Sequence, residues 1–327
     1  MKHPVQTASG EQACAHIVTQ PSGLTWAARP FLLLLAAVAV LPAAPPPDSG
    51  SWIWVLALGL IGMPHGAYDL PALRRISRDW PQTLVRFGWY TLVMGVSTLA
   101  ILLAPEASVF AFLLLAAHHF GISDSIWTRA RSPLNFFDHF AGSGHGLIAI
   151  MAPFAFKPEA AWLPFGRIIS WATGQPSPSS APIAALSMIL LAAGFAIVLT
   201  ATCIRHRSQT QLAEEWGTLL AMLLLSSVAP PLVSIGIYFM VVHASGHCLR
   251  ALQPGSYTAK PGLANAIRVH IASLPLLIPS IAIVLAAATL FHLPMQDAIA
   301  CSFILFCMVA TLPHHLMWLG CFSPSPD

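Results

Sequence analysis

The sequence predicts an all-α fold, a polytopic integral membrane helical bundle of about 8–10 transmembrane helices, and three observations carry that expectation. The first is polarity. Of 327 residues, 56% are hydrophobic and only 8% are charged, with mean hydropathy +0.72, whereas a water-soluble surface needs roughly a quarter of its residues charged. The second is a series of apolar runs, each near the roughly 20 residues needed to cross a hydrocarbon core of about 30 Å. The third is that Lys and Arg fall on alternate connections between those runs.

In chain order, residues 1–25 are polar and mixed and read as a flexible N-terminal tail. Residues 26–320 form a single multispan membrane domain, and 321–327 a short C-terminal tail. Within the domain, charges and Pro/Gly clusters bound ten candidate spans: 27–44, 51–73, 86–104, 107–127, 139–156, 182–204, 212–229, 231–250, 272–291 and 298–319. No internal repeat stands out. The first span also fits a late signal peptide, with Arg29, the run Phe31 to Val40, and the small residues Ala43 and Ala44. The rest of the topology is the same under either reading.

Lys2 and Arg29 precede the first span, Arg74, Arg75, Arg78 and Arg86 lie between the second and third, and Arg129 and Arg131 between the fourth and fifth. Arg205 and Arg207 follow the sixth, and Arg250, Lys260 and Arg268 the eighth. Only Lys157 and Arg167, in a long loop after the fifth span, fall on the other side. Basic loops are retained in the cytoplasm. This pattern therefore predicts a multi-pass protein of the plasma (inner) membrane with cytoplasmic N- and C-termini. The net charge of +3 is spread along the chain, without the dense basic stripe of a nucleic-acid binder. The six cysteines contain no C-x-x-C pair, which indicates neither a disulfide framework nor a thiolate metal site.

Fourteen histidines are many for such a chain, because polar rings inside a bilayer are costly and face a functional interior. Their depth is informative. His65, His119, His243 and His314 each lie about 12 to 16 residues into spans that run in the same direction. His145 enters the same half from the other direction. His243 and His247 are spaced i, i+4 on one helical face, separated by Ala, Ser and Gly that admit a neighbouring helix. His65 sits between Pro64 and Gly66, which loosen the helix, and Asp69 follows four residues on, positioned to fix the tautomer of a liganding imidazole. His118 and His119 point about 100° apart, so one faces a shared site and the other supports it, with Asp124 close behind. Asp69, Asp124, His118, His145 and His314 are thus candidates for the layer around a metal. Imidazole donors suit Fe(II), Zn(II), Cu(II) or Ni(II), and a buried, apolar setting favours a lipid-soluble substrate. Iron with open positions would put O2 chemistry beside it.

The segments Gly62-Met-Pro-His-Gly-Ala-Tyr-Asp69, His119-Phe-Gly-Ile-Ser-Asp124, the Gly-rich stretch around His145, and His243 with His247 resemble the Brp/Blh family of bacterial and archaeal membrane proteins. These are beta-carotene central-cleavage dioxygenases that supply retinal to microbial rhodopsins. The resemblance runs from about residue 52 to 319. It implies a non-haem Fe(II) held by His65, His119, His243 and His247. It also implies a carotenoid and O2 as substrates, cleavage of the central double bond to give two retinals, the lipid bilayer as surroundings, and a functional link to a microbial rhodopsin. The family's usual Arg before the last of these histidines is Gly246 here, which bears on substrate choice.

Other functions remain as alternatives: action on another lipid-soluble substrate, or a histidine-lined metal or proton transporter. A relay should spread its polar groups along the membrane normal, whereas these lie at one level. A bis-histidine haem protein needs only two axial imidazoles. A diiron desaturase-like enzyme has several spaced histidine boxes, and only one spaced pair occurs here.

Overall fold

The computed structural model describes residues 31–37, 39, 49–126, 136–204, 209–246, 248 and 263–319. They are helical almost throughout, with no strand among them. The first rod is broken: α1 (Ser49–Ala57), a π-helical segment π1 (Leu58–Gly62), α2 (Met63–Ala67) and α3 (Asp69–Ile76) follow one another with little interruption. Then come α4 (Trp80–Leu103), α5 (Pro105–Ile126), α6 (Phe136–Phe156), α7 (Pro158–Thr173), α8 (Ala181–Ile204) and α9 (Gln209–Val228). A second broken rod joins α10 (Pro231–Tyr238) to π2 (Phe239–Ala244), and α11 (Leu263–Ala288) and α12 (Met295–Trp318) complete the bundle.

Six helical stretches among the described residues are long and apolar enough to cross a membrane: Trp52–Ile76, α4, Pro105–Asp124, α8, Ile267–Ala288 and α12. The fold is thus an all-α polytopic membrane bundle. α6 is long but lies outside that set, because Asp138, His139, Ser143, His145 and its glycines lower the hydropathy of its first half, while Ile148, Ile150, Met151 and Phe154 are buried in its second. It is the central helix, packed on α5, α8 and α9, and needs little lipid-compatible surface of its own.

Three expectations change. The stretch after the fifth span is the helix α7 rather than a loop. It begins with Pro158 in its first turn and ends at Gly174, which takes the left-handed φ of 68° that closes a helix C-terminus. Sixteen residues rise only about 24 Å, short of a full crossing. Its partners are helix ends: Phe112 near the start of α5, Phe154 near the end of α6, and Asp297 at the start of α12, which Arg167 meets at 2.8 Å. α7 therefore lies across one end of the bundle as a floor. Second, α4 begins at Trp80, where the Asp79 side chain accepts from Gln82 N at 2.8 Å as an N-cap. Arg86 is consequently a buried helical residue and not a loop cation, and it donates to Ile76 O at 2.6 Å across the end of α3. Third, α11 starts earlier than the apolar run suggests, so Arg268 is helical too. The first span and both tails lie mostly outside the described residues.

α5 and α6 meet along a glycine seam. A Cβ at Gly121 would overlap the Gly142 carbonyl, and one at Gly146 would overlap the Ala117 carbonyl, so backbone faces backbone. On the far side of α6, a Cβ at Gly194 would stand 2.9 Å from Gly144 O. Because α5 carries His119 and Asp124, the seam sets where those side chains sit. Gly146→Val should lower thermal stability in detergent by about 1–3 kcal/mol or more, the cost of overpacking a site that cannot relax. Gly95→Ala, where a Cβ meets nothing within 4 Å, should leave the melting temperature unchanged or slightly raised, since Ala is favoured over Gly in a helix by about 0.8–1.0 kcal/mol.

Candidate functional site

Both broken rods carry a histidine at the break. In the first, Met63 N bonds back to Leu58 O, the wide i to i+5 pattern of a π-turn. Pro64 then has no N–H to offer the carbonyl four residues earlier. That carbonyl, Leu60 O, accepts instead from His270 Nε2 of α11, and Ser273 Oγ of α11 donates to Pro64 O at 2.7 Å. The neighbouring helix thus satisfies the backbone that the break exposes. Gly62 permits the break to pack, because a Cβ there would overlap the Phe239 ring at the start of π2. His65 follows directly, its Nδ1 donating to Gly62 O. In the second rod, His243 lies inside π2 itself.

These two rings meet His119 of α5 and His314 of α12. Ring centroids are 5.5 Å apart for His65 and His243, 5.1 Å for His65 and His314, 4.9 Å for His119 and His243, and 5.0 Å for His119 and His314. All four are buried. One ring nitrogen from each of His65, His119 and His243 lies within 4.8 Å of the others.

Each ring is held from behind. Asp124 accepts from His243 Nδ1 at 3.2 Å on one oxygen and from Tyr238 O–H at 2.7 Å on the other. Phe120 stacks on His243 with 3.9 Å between ring centroids. Asp69 accepts from His314 Nδ1 at 2.7 Å and from Tyr90 O–H at 2.8 Å. His119 Nδ1 is hydrogen-bonded to His315 Nδ1 at 3.0 Å. A neutral imidazole that donates from Nδ1 carries its lone pair on Nε2. His65, His243 and His314 are therefore set to present Nε2, an arrangement in which an outer hydrogen bond fixes a ligand's tautomer and basicity. Several neutral imidazoles with two carboxylates one ring away form a donor set that fits a first-row divalent ion such as Fe(II).

Of the residues singled out from sequence, His65, His119 and His243 come together, and His314 joins them directly. Asp124 supports His243. Asp69 serves His314 on another helix rather than His65 on its own. His118 bonds Ser143 Oγ at 2.8 Å, and His145 pairs with Glu215 of α9. His247 lies outside the described residues. Sequence reasoning missed Tyr90 and Tyr238, whose partners are distant along the chain, and gave His315, beside His314, no role of its own. Glu215 had a signal, as an acid at the head of an apolar run.

The four rings close one end of a cavity of about 340 Å³ that extends toward α7 and is lined otherwise almost wholly by apolar side chains, including Phe112, Phe154, Phe165 and Phe303. From Phe303 to His314 α12 rises roughly 16 Å along its wall. The cavity also opens sideways. α4 and α11 both pack on α12, and between them Phe306, Ala310 and Thr311 of α12 are only half-buried while lining the cavity, with Thr91 of α4 and Ile283 of α11 exposed at its rim.

Residues 56–319 match the family model described as Beta-carotene 15,15'-dioxygenase. A curated protein of that description from an uncultured marine bacterium, 66A03, is 25% identical over 206 residues, covering 60% of this chain and 67% of the relative. No solved structure matches. The family match spans both helix breaks, the glycine seam and every described histidine of the cluster. This oxidoreductase therefore belongs to the beta-carotene 15,15'-dioxygenase family.

Proposed function

We propose that this chain is a membrane-embedded, Fe(II)-dependent dioxygenase that cleaves the central double bond of a carotenoid, beta-carotene in the first place, with O2 to give two molecules of retinal. The observation that carries the reading is the buried ring of imidazoles at the end of an apolar, laterally open cavity. His65, His119 and His243 would hold the metal, with His314 as the described fourth donor and His247, one turn beyond His243 by its spacing, as a further one. Bound iron would supply a place for O2 to be activated beside the polyene.

The chain's own residues do the rest. Asp124, Asp69, His315 and the Gly62 carbonyl hold the rings in the tautomer and orientation that direct Nε2 inward. The aromatic walls exclude water and bind an apolar chain by its surface alone. With the histidines at one end, the cavity takes one half of a long linear substrate and brings its middle to the donors, while the other half leaves by the opening between α4 and α11. Cleavage of one C=C by one O2 yields two C=O groups and needs no net proton or electron, so no acid or base is required at the scissile bond. Action in the plasma membrane, with cytoplasmic termini and retinal passed to a microbial rhodopsin, completes the proposal.

Expression in beta-carotene-producing bacteria should bleach the cells and produce retinal; pigment retained by well-inserted, iron-loaded protein would remove carotene cleavage. His243→Ala should reduce bound iron to a small fraction of one per chain, measured on purified protein. Asp124→Asn should weaken iron binding by about 10–100-fold, the usual effect of losing such an outer partner. Parallel iron contents of His314→Ala and His247→Ala identify which of the two is the stronger donor. Ala310→Trp should keep its iron yet slow retinal formation by about 10²-fold, the scale of a misplaced substrate. Normal turnover in that variant would rule out the lateral opening as the substrate's path.

A further inference from the structure

Beside the proposed metal cluster runs a second line of imidazoles, of which the reaction uses only His315, as the partner of His119, and leaves His118 and His139 without a role. Buried His119 meets buried His315 with ring centroids 5.2 Å apart. His315 meets half-buried His118 edge-on at 5.2 Å, and His118 stacks on half-buried His139 at 5.6 Å with an 18° tilt. Ser143 steadies the line, donating to His139 O at 2.8 Å while accepting from His118 Nδ1. His139 is in the first turn of α6, so the series leads from a helix end at the edge of the bundle to the cluster, with burial increasing along it.

We propose that His139, His118 and His315 form a ladder by which a divalent metal ion reaches the cluster through His119; the inference rests on the metal reading of that cluster. A dication crossing an apolar bundle faces a large desolvation cost unless ligands replace its water at each stage. Neighbouring imidazoles about 5 Å apart allow it to be passed by ligand exchange, the next ring binding before the previous one leaves. Two observations favour transit over storage or proton conduction. Among the described residues, His65, His119 and His243 form the only group of three or more whose donor atoms all lie within 4.8 Å of one another, so His139, His118 and His315 do not converge on a tight site of their own. Among the described contacts, the rings are hydrogen-bonded to one another only between His119 and His315; Ser143 links His118 to the His139 carbonyl and not to its ring, and the other steps are an edge-on and a stacked contact, which give no ring-to-ring path for protons.

The test is the rate of metal exchange in intact apo-protein purified in detergent. Co(II) is mixed rapidly and followed by its visible absorption, and removal by EDTA is followed in the same way. His118→Phe and His139→Phe keep ring packing but remove the donor nitrogens, and His292→Phe, at an exposed position outside the line, controls for loss of any histidine. The ladder predicts unchanged final stoichiometry with uptake and release both slowed about tenfold, equivalent to about 1.4 kcal/mol of added barrier, and no change in the control. Unchanged rates at full stoichiometry would overturn the ladder and leave the cluster standing. A lowered final stoichiometry in His118→Phe or His139→Phe would overturn it by making them part of the holding site. Wild-type protein that takes up no Co(II) would overturn the cluster reading itself and the ladder with it.

Discussion

Burying several imidazoles in an apolar bundle imposes one constraint above the others: each ring N–H needs an acceptor supplied by protein, because the bilayer core offers no water. The acceptors are distinct for each ring. Gly62 O serves His65, Asp124 serves His243, Asp69 serves His314, and His315 partners His119. The two carboxylates create the same difficulty a second time, since a buried carboxylate also needs donors. Tyr90 and Tyr238 meet it, so that each Asp binds one imidazole and one phenol. Removing any member leaves a buried polar atom unsatisfied, which is why these groups act as units.

The helices are shaped to meet that constraint. A regular helix at residues 58–65 would already bond Leu60 O internally, and that carbonyl would not need a donor from α11. The π-turn and Pro64 leave Leu60 O to His270, and Gly62 O accepts from the His65 ring. π2 similarly carries His243 in a widened turn. Such segments are less stable than α-helix, and both are clamped by neighbours: Ser273 holds the first, while Phe120 stacks against the second. The glycine seam contributes at longer range, because α5 approaches α6 closely enough to fix the height of both His119 and Asp124.

Much of this was legible in the sequence, for physical reasons that also mark where legibility stopped. Long apolar runs and sparse charge dictate membrane helices whatever their packing, so the bundle and its main spans followed from composition. The helix repeat of 1.5 Å per residue converts position into depth, so the common level of His65, His119, His243 and His314 was visible before any contact was known. Rotation about the helix axis was not. Asp69 was expected on the face of His65, but the break at Pro64 turns the chain so that it meets His314. α7 was concealed because its mixed polar and apolar residues, interrupted by Pro164, do not make a spanning run; a floor packs against helix ends and needs only one apolar side. The Tyr–Asp pairs were invisible because each joins different helices, and spacing along one helix says nothing of its neighbour.

Charge links the site to the cavity. Both oxygens of Asp124 receive donors, from His243 and Tyr238, and Asp69 is met by His314 and Tyr90; each carboxyl group is therefore arranged as an acceptor. Two carboxyl groups one ring behind the imidazoles would complement the proposed dication at their centre, and in a medium of low dielectric that complementarity would matter more than at a water-exposed site. The same balance suits an uncharged ligand in the adjoining cavity. A charged one would have to abandon its hydration in a space lined by Phe112, Phe154, Phe165 and Phe303 with no counter-charge left to meet it. In the proposed reaction, selection for a long apolar molecule would thus arise from the electrostatics around the histidines as much as from the shape of the apolar walls.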